Sequence, residues 1–196
     1  MSATAMKLEP PRYRPHAAVQ NSVAGMLIFI VTEIMFFAGL ISAFLVVKSG
    51  AVWPPPGQPR LPIETTAFNT LVLFASGIAL GKAERTLAGA RDLERTQGLL
   101  SLAMSLGAFF VVFQGYEWVR LIGFGLTMTS SPYGAFFYLI VGAHALHAVA
   151  ALLALGYCHL QLARHELTRT VFSATQIFWY FVVMLWPVLY VLVYLT

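Results

Sequence analysis

Residues Val23 to Val47 read VAGMLIFIVTEIMFFAGLISAFLVV, and this stretch decides the fold. It holds 25 residues and one ionisable group, Glu33. At ~1.5 Å of rise per residue, a helix of that length crosses a hydrocarbon core ~30 Å thick, so the stretch predicts a transmembrane helix. Glu33 lies ten residues inside it, roughly 15 Å from the start, where an uncompensated charge costs about 2.5–3.5 kcal/mol. Either Glu33 is protonated, or it faces a polar partner inside a helix bundle.

Working outward, the whole chain follows the same pattern. Of its 196 residues, 59% are hydrophobic and 10% charged, which points to a membrane protein rather than a soluble domain. A single cysteine, Cys158, excludes an internal disulfide and any site built on two or more thiolates of this chain. The net charge of +4 comes from basic residues in the loops between apolar runs, so it points to membrane orientation and not to nucleic acid.

Five apolar runs predict an all-α, polytopic five-helix bundle, with helices at about 23–47, 63–87, 98–122, 133–160 and 171–195 behind a short tail, 1–22. The first run is too long for a signal-peptide core and is read as an uncleaved helix. Nine Lys and Arg fall on the side of the N-terminus and three (Lys48, Arg60, Arg120) on the other. The positive-inside rule then puts the N-terminus in the cytoplasm and the C-terminus outside. The outer loop WPPPGQPRLP, Trp53 to Pro62, forbids helix, with Trp53 as an interfacial anchor. The inner loop, Ala83 to Gln97, mixes acids and bases at helical spacing and reads as a helical extension. Gly77 and Gly81 form GxxxG, a close-packing signal in lipid, and Pro187 predicts a kink in the fifth helix.

Polar residues inside the apolar runs are the functional candidates. Glu33 serves either as polar glue between helices or as a protonatable group. Gln114, Glu117 and Arg120 share one face of the third helix, and a Glu117–Arg120 pair near the outer surface is an ordinary structural device. His144 and His147 also lie three apart on one face. No metal site is expected there, because further ligands are missing and one helix face cannot supply both axial ligands of a haem. Counting depth from Tyr133 places His147 level with Glu33, which predicts a Glu33–imidazole hydrogen bond between the first and fourth helices.

These residues also carry a resemblance. TEIMFFAGLISAF in helix one, WPPPG and FNTLVLFASG (Trp53, Pro54, Pro55, Asn69, Thr70, Ala75, Ser76, Gly77), Gln114 with Glu117 and Trp118, and YGAFFYLIVGAHALHAV (Tyr133 to Val149) fall in one order along the chain. In this the sequence resembles subunit III of the haem-copper oxidases, in its short five-helix bacterial form. The family often has Trp-His-Phe-Val-Asp in its last helix; here WYFVV puts Tyr180 and Val183 at the His and Asp positions.

The resemblance implies a non-catalytic subunit of a proton-pumping terminal oxidase in aerobic respiration, in the bacterial cytoplasmic membrane. Glu33 takes the place of the family's carbodiimide-reactive carboxylate, and with His144 and His147 is expected to form a buried protonatable cluster. The subunit would contact catalytic subunit I, with subunit II and small subunits nearby, and would stabilise subunit I and support its proton uptake. Haems and copper would belong to those partners, with bound phospholipid at the shared interface. Two alternatives remain open on the sequence: an accessory subunit of a bacterial nitric-oxide reductase, and an independent small proton-coupled transporter.

Overall fold

A computed structural model describes residues 15–89 and 92–195. They form five helices: α1 (Pro15–Ser49), α2 (Ile63–Ala88), α3 (Leu93–Gly123), α4 (Pro132–Ala163) and α5 (Arg169–Leu189), the last continued by a π-helical segment, Tyr190–Leu195. All five are long and apolar enough to cross a membrane.

Three boundaries differ from the expectation. Helix α1 opens at Pro15, eight residues before Val23, because proline at the first helical position gives up an N–H that would be unpaired anyway. Residues 15–22 of the expected tail are therefore helical, and residues 1–14 lie outside the described part. The expected helical extension over Ala83 to Gln97 is broken: α2 ends at Ala88 with Gly89 as its cap, and Asp92 restarts the chain by accepting the Arg95 N–H at 2.9 Å. This is a side-chain N-cap with its usual three-residue reach. At Pro187 α5 does not stop. The missing N–H instead precedes a shift to the wider π turn at Tyr190.

Helices α2, α3, α4 and α5 form a ring, each packed on the next and α5 closing on α2. Helix α1 stands outside this ring against α4 and α5, although α2 follows it in sequence. Most of its surface is left to lipid or to a neighbouring subunit, with Ile28, Val31, Met35 and Val46 exposed. A polar group on α1 must therefore find its partner on α4 or α5.

Hydrophobic burial gives little drive between helices in lipid, so close packing and interhelical hydrogen bonds must hold the ring. The stretch FNTLVLFASG shows how. Asn69 and Ser76, two turns apart, face α3, where Asn69 Nδ2 donates to the Phe110 carbonyl at 3.1 Å and the Ser76 hydroxyl to the Ala103 carbonyl at 2.7 Å. Thr70 and Gly77, one residue on, face α5. Thr70 Oγ1 accepts the Trp186 indole N–H at 2.9 Å, and a Cβ on Gly77 would meet Val183 at 3.3 Å. The same seven-residue step thus serves two neighbours.

Trp53 is half-buried, with its ring set edge-on to Phe44 (5.4 Å between centroids) and Tyr133 (5.1 Å). It clamps the outer ends of α1 and α4 together. Pro54 and Pro55 hold the loop beside it, half-buried.

Candidate functional site

Glu33 is carried by the face of α1 that touches the ring, and His147 by the face of α4 that touches α1. Glu33 Oε2 and His147 Nε2 are 2.9 Å apart. The other ring nitrogen, Nδ1, lies 2.7 Å from the Ala143 carbonyl, one turn back on α4. A carbonyl can only accept, so Nδ1 carries a hydrogen and Nε2 is left to face the acid. Two arrangements satisfy this contact: a protonated Glu33 donating to the Nε2 lone pair, or an imidazolium donating to a carboxylate. Both are neutral overall, and they differ only in the position of one proton.

The walls of this pair are aromatic. Phe37 is edge-on to the His147 ring at 5.4 Å, and Phe178 and Phe181 stand at 6.3 and 6.4 Å. Phe37 is fully buried, whereas the Glu33 and His147 side chains keep 18% and 14% of their surface exposed.

His144 does not join it. Three residues along a helix is about 300° of turn, which offsets the two rings by about 60°. His144 points into the ring of helices, its ring tilted by 31° against Trp186 at 5.0 Å and edge-on to Phe110 at 6.3 Å. Among the described residues, neither of its nitrogens has a hydrogen-bond partner. The expected three-residue cluster is thus a Glu33–His147 pair with His144 apart from it. Among the described residues, no three His, Cys, Asp or Glu side chains converge as a metal-ligand set.

On α3, Gln114 and Glu117 are both buried and Arg120 is half exposed. Arg120 Nη1 reaches Glu117 Oε1 at 3.3 Å, while Gln114 donates instead to the Tyr194 hydroxyl at 3.0 Å. The shared face therefore splits between an outer ion pair and an inner amide–phenol bond.

Several polar contacts had no place in the sequence reading. Ser101 bonds His159 at 2.8 Å, and Gln176 on α5 donates to Glu84 at 2.9 Å and to Tyr180 at 3.2 Å. Gln176 stood as a lone amide in an apolar run, and that was the available signal. Tyr194 carried none, because tyrosines near a helix end are usual at membrane surfaces.

The fold and the pair define a multi-pass, α-helical membrane bundle with a part-buried acid–imidazole contact between an outlying helix and a four-helix ring. Over residues 13–196 the sequence matches the family described as cytochrome c oxidase subunit III, and the chain belongs to that family. It is 34% identical over 185 residues to cytochrome c oxidase subunit 3 of Lycodon semicarinatus, covering 89% of this chain and 69% of that protein. It is similar to the subunits of the same name from Equus caballus (32% over 180 residues) and Prototheca wickerhamii (33% over 181 residues), each time covering 87% of this chain and 67% of the relative. Membership makes the chain an oxidase subunit III and implies a multisubunit oxidase complex.

Proposed function

We propose that this subunit stabilises the catalytic subunit I of a proton-pumping haem-copper oxidase and supports its proton uptake, with the Glu33–His147 pair as the group that holds and releases the proton. The observation that carries the reading is the 2.9 Å contact between a carboxyl group and an imidazole, two groups each able to take up and release a proton, on helices α1 and α4. No residue of this chain is assigned to oxygen reduction; haems and copper are assigned to subunits I and II. The family match favours this over a nitric-oxide reductase accessory role or an independent transporter. Lys and Arg, nine on one side and three on the other, support a cytoplasmic N-terminus; the bacterial cytoplasmic membrane rests on the likeness to the short five-helix form of the family.

Phospholipid has a place in the same proposal. A groove of about 340 Å³ runs between α2 and α5, floored by Gly77 and Gly81 and closed at one end by Lys82, Arg85 and the Tyr180 hydroxyl. Phe74, Ile78, Val183 and Met184 give the groove an apolar wall for an acyl chain, and two cations beside a hydroxyl suit the phosphate of an anionic lipid.

The test is Glu33→Gln in the assembled oxidase. The expected result is a complex of normal composition and spectrum with fewer protons pumped per electron and earlier inactivation during turnover. Normal pumping and lifetime would overturn the proton role. Isolation of the tagged subunit from native membranes, followed by reduced-minus-oxidised spectra, tests the complex itself. Haem and copper with oxygen consumption are expected, whereas non-haem iron with nitric-oxide turnover or a pigment-free protein would overturn it.

A further inference from the structure

A side-chain relay ties the last turns of α2 to the first turns of α5, apart from the Glu33–His147 pair. Gln176 Nε2 donates to Glu84 Oε2 at 2.9 Å and to the Tyr180 hydroxyl at 3.2 Å. A carboxylate only accepts, so the Gln176 amide must turn its nitrogen towards Glu84, and the second hydrogen on that nitrogen goes to Tyr180. The Tyr180 oxygen is thereby an acceptor of the amide, and its own proton has to point elsewhere. Among the described residues that proton has no acceptor.

The hydroxyl stands in the groove between α2 and α5. Its oxygen lies 2.8 Å from where a Cβ on Gly81 would sit, and Gly81 lines the groove beside Lys82 and Arg85. Tyr180 is half-buried, whereas Lys82, Glu84 and Arg85 are exposed. Among the described residues Glu84 makes no ion pair with either cation, so the acid is committed to the amide and does not neutralise its neighbours. An unclaimed O–H beside two cations offers donors to an anion, and hydrogen bonds to a charged acceptor are the strong ones.

We propose that Glu84 and Gln176 are positioning residues that hold the Tyr180 hydroxyl as a donor to the phosphate of an anionic phospholipid, resting on the lipid occupancy of this groove proposed above. The relay gives Glu84 an effect opposite in sign to its charge. A glutamine at position 84 can donate as well as accept, so it no longer dictates which end of the Gln176 amide faces it. With the amide turned over, Gln176 Oε1 accepts the Tyr180 O–H. That state satisfies the phenol proton inside the protein, so it is favoured in an empty groove, and the donor is withdrawn from the lipid.

The test uses the purified oxidase complex, depleted of lipid and titrated with phosphatidylglycerol, with occupancy read by native mass spectrometry. Lys82→Ala with Arg85→Ala identifies the share of binding held in the groove. Tyr180→Phe is expected to weaken that share roughly tenfold, the scale of one hydrogen bond to a charged group. Glu84→Gln is expected to weaken it as well, although it removes a negative charge from beside the phosphate, and to add nothing further in the Tyr180→Phe background. Tighter or unchanged binding in Glu84→Gln overturns the relay, and so do additive losses in the two variants, which mark general destabilisation. If Lys82→Ala with Arg85→Ala releases no phosphatidylglycerol, the lipid role of the groove fails and the relay falls with it. Release in that variant with unchanged binding in Tyr180→Phe refutes the relay alone. If a variant fails to assemble, a density map of the wild-type complex with phosphatidylglycerol decides it: a phosphate within hydrogen-bond distance of the Tyr180 hydroxyl is expected, and one held by the two cations alone refutes it.

Discussion

His147 Nδ1 lies 2.7 Å from the carbonyl of Ala143, four residues before it on the same helix, and this contact fixes which ring nitrogen faces Glu33. The imidazole is held by its own helix first and by α1 second. A glutamine at position 33 can still donate an N–H to the Nε2 lone pair, but it has no proton to transfer. Glu33→Gln is therefore expected to assemble and melt close to wild type. Glu33→Leu leaves Nε2 without a partner and is expected to cost about 1–3 kcal/mol. Thermal denaturation of the purified complex, read on this subunit, checks the order. No loss in Glu33→Leu would mean that the hydrogen bond contributes nothing to docking α1.

The tightest helix crossing predicts a second result. A Cβ on Gly107 would stand 2.5 Å from Trp179 Cη2 and 2.9 Å from Leu152 Cδ2, and Trp179 is fully buried. Overpacking of this kind typically costs about 1–3 kcal/mol. Gly107→Ala is expected to lower the melting temperature and the yield of assembled complex. Trp179→Phe removes the obstructing ring edge, so the double variant should be more stable than the sum of the two single changes allows. Additive losses would refute the contact.

The extent to which this architecture was legible in the sequence follows from what each signal measures. Hydropathy counts apolar length, and all five spans were read from it to within a few residues at most ends. It says nothing about where a capped helix starts, so the Asp92 cap and the early start at Pro15 were missed. Depth counting paired Glu33 with His147 because both positions are fixed by rise along a straight helix. The same counting could not place His144, whose environment depends on rotation about the helix axis and on which helices surround it. Chain order suggests that α1 packs on α2. Only the tertiary arrangement places it on α4 and α5.

Trp186 has two tasks that can be separated by substitution. Its N–H donates to Thr70 at 2.9 Å, and its ring lies tilted against His144 and meets Phe110 edge-on at 5.0 Å. Trp186→Phe keeps much of the aromatic wall and loses the hydrogen bond, and interhelical hydrogen bonds in membranes average about 0.6 kcal/mol. Trp186→Ala empties the wall as well, a change that costs about 3–5 kcal/mol in a packed core. A small drop in melting temperature is expected for the first and failure to assemble for the second. Equal severity would show that the bond to Thr70, and not the ring, holds α5 to α2.

The groove between α2 and α5 gives the last prediction. Lys82 and Arg85 stand one turn apart at the end of α2, and the Tyr180 hydroxyl lies 2.8 Å from where a Cβ on Gly81 would sit, so any larger residue at 81 narrows the groove at its charged end. Near an anionic headgroup each basic side chain contributes about 1 kcal/mol, and removing both weakens retention roughly thirtyfold. Lys82→Ala with Arg85→Ala is therefore expected to strip anionic phospholipid from the purified complex, as measured by mass spectrometry of extracted lipid. Arg60→Ala, at the opposite end of the bundle, should leave it unchanged. Loss of zwitterionic and anionic lipid alike would mean that the two cations hold the phosphate without selecting for net charge. Unchanged lipid content in the double variant would remove the groove from the proposed function altogether.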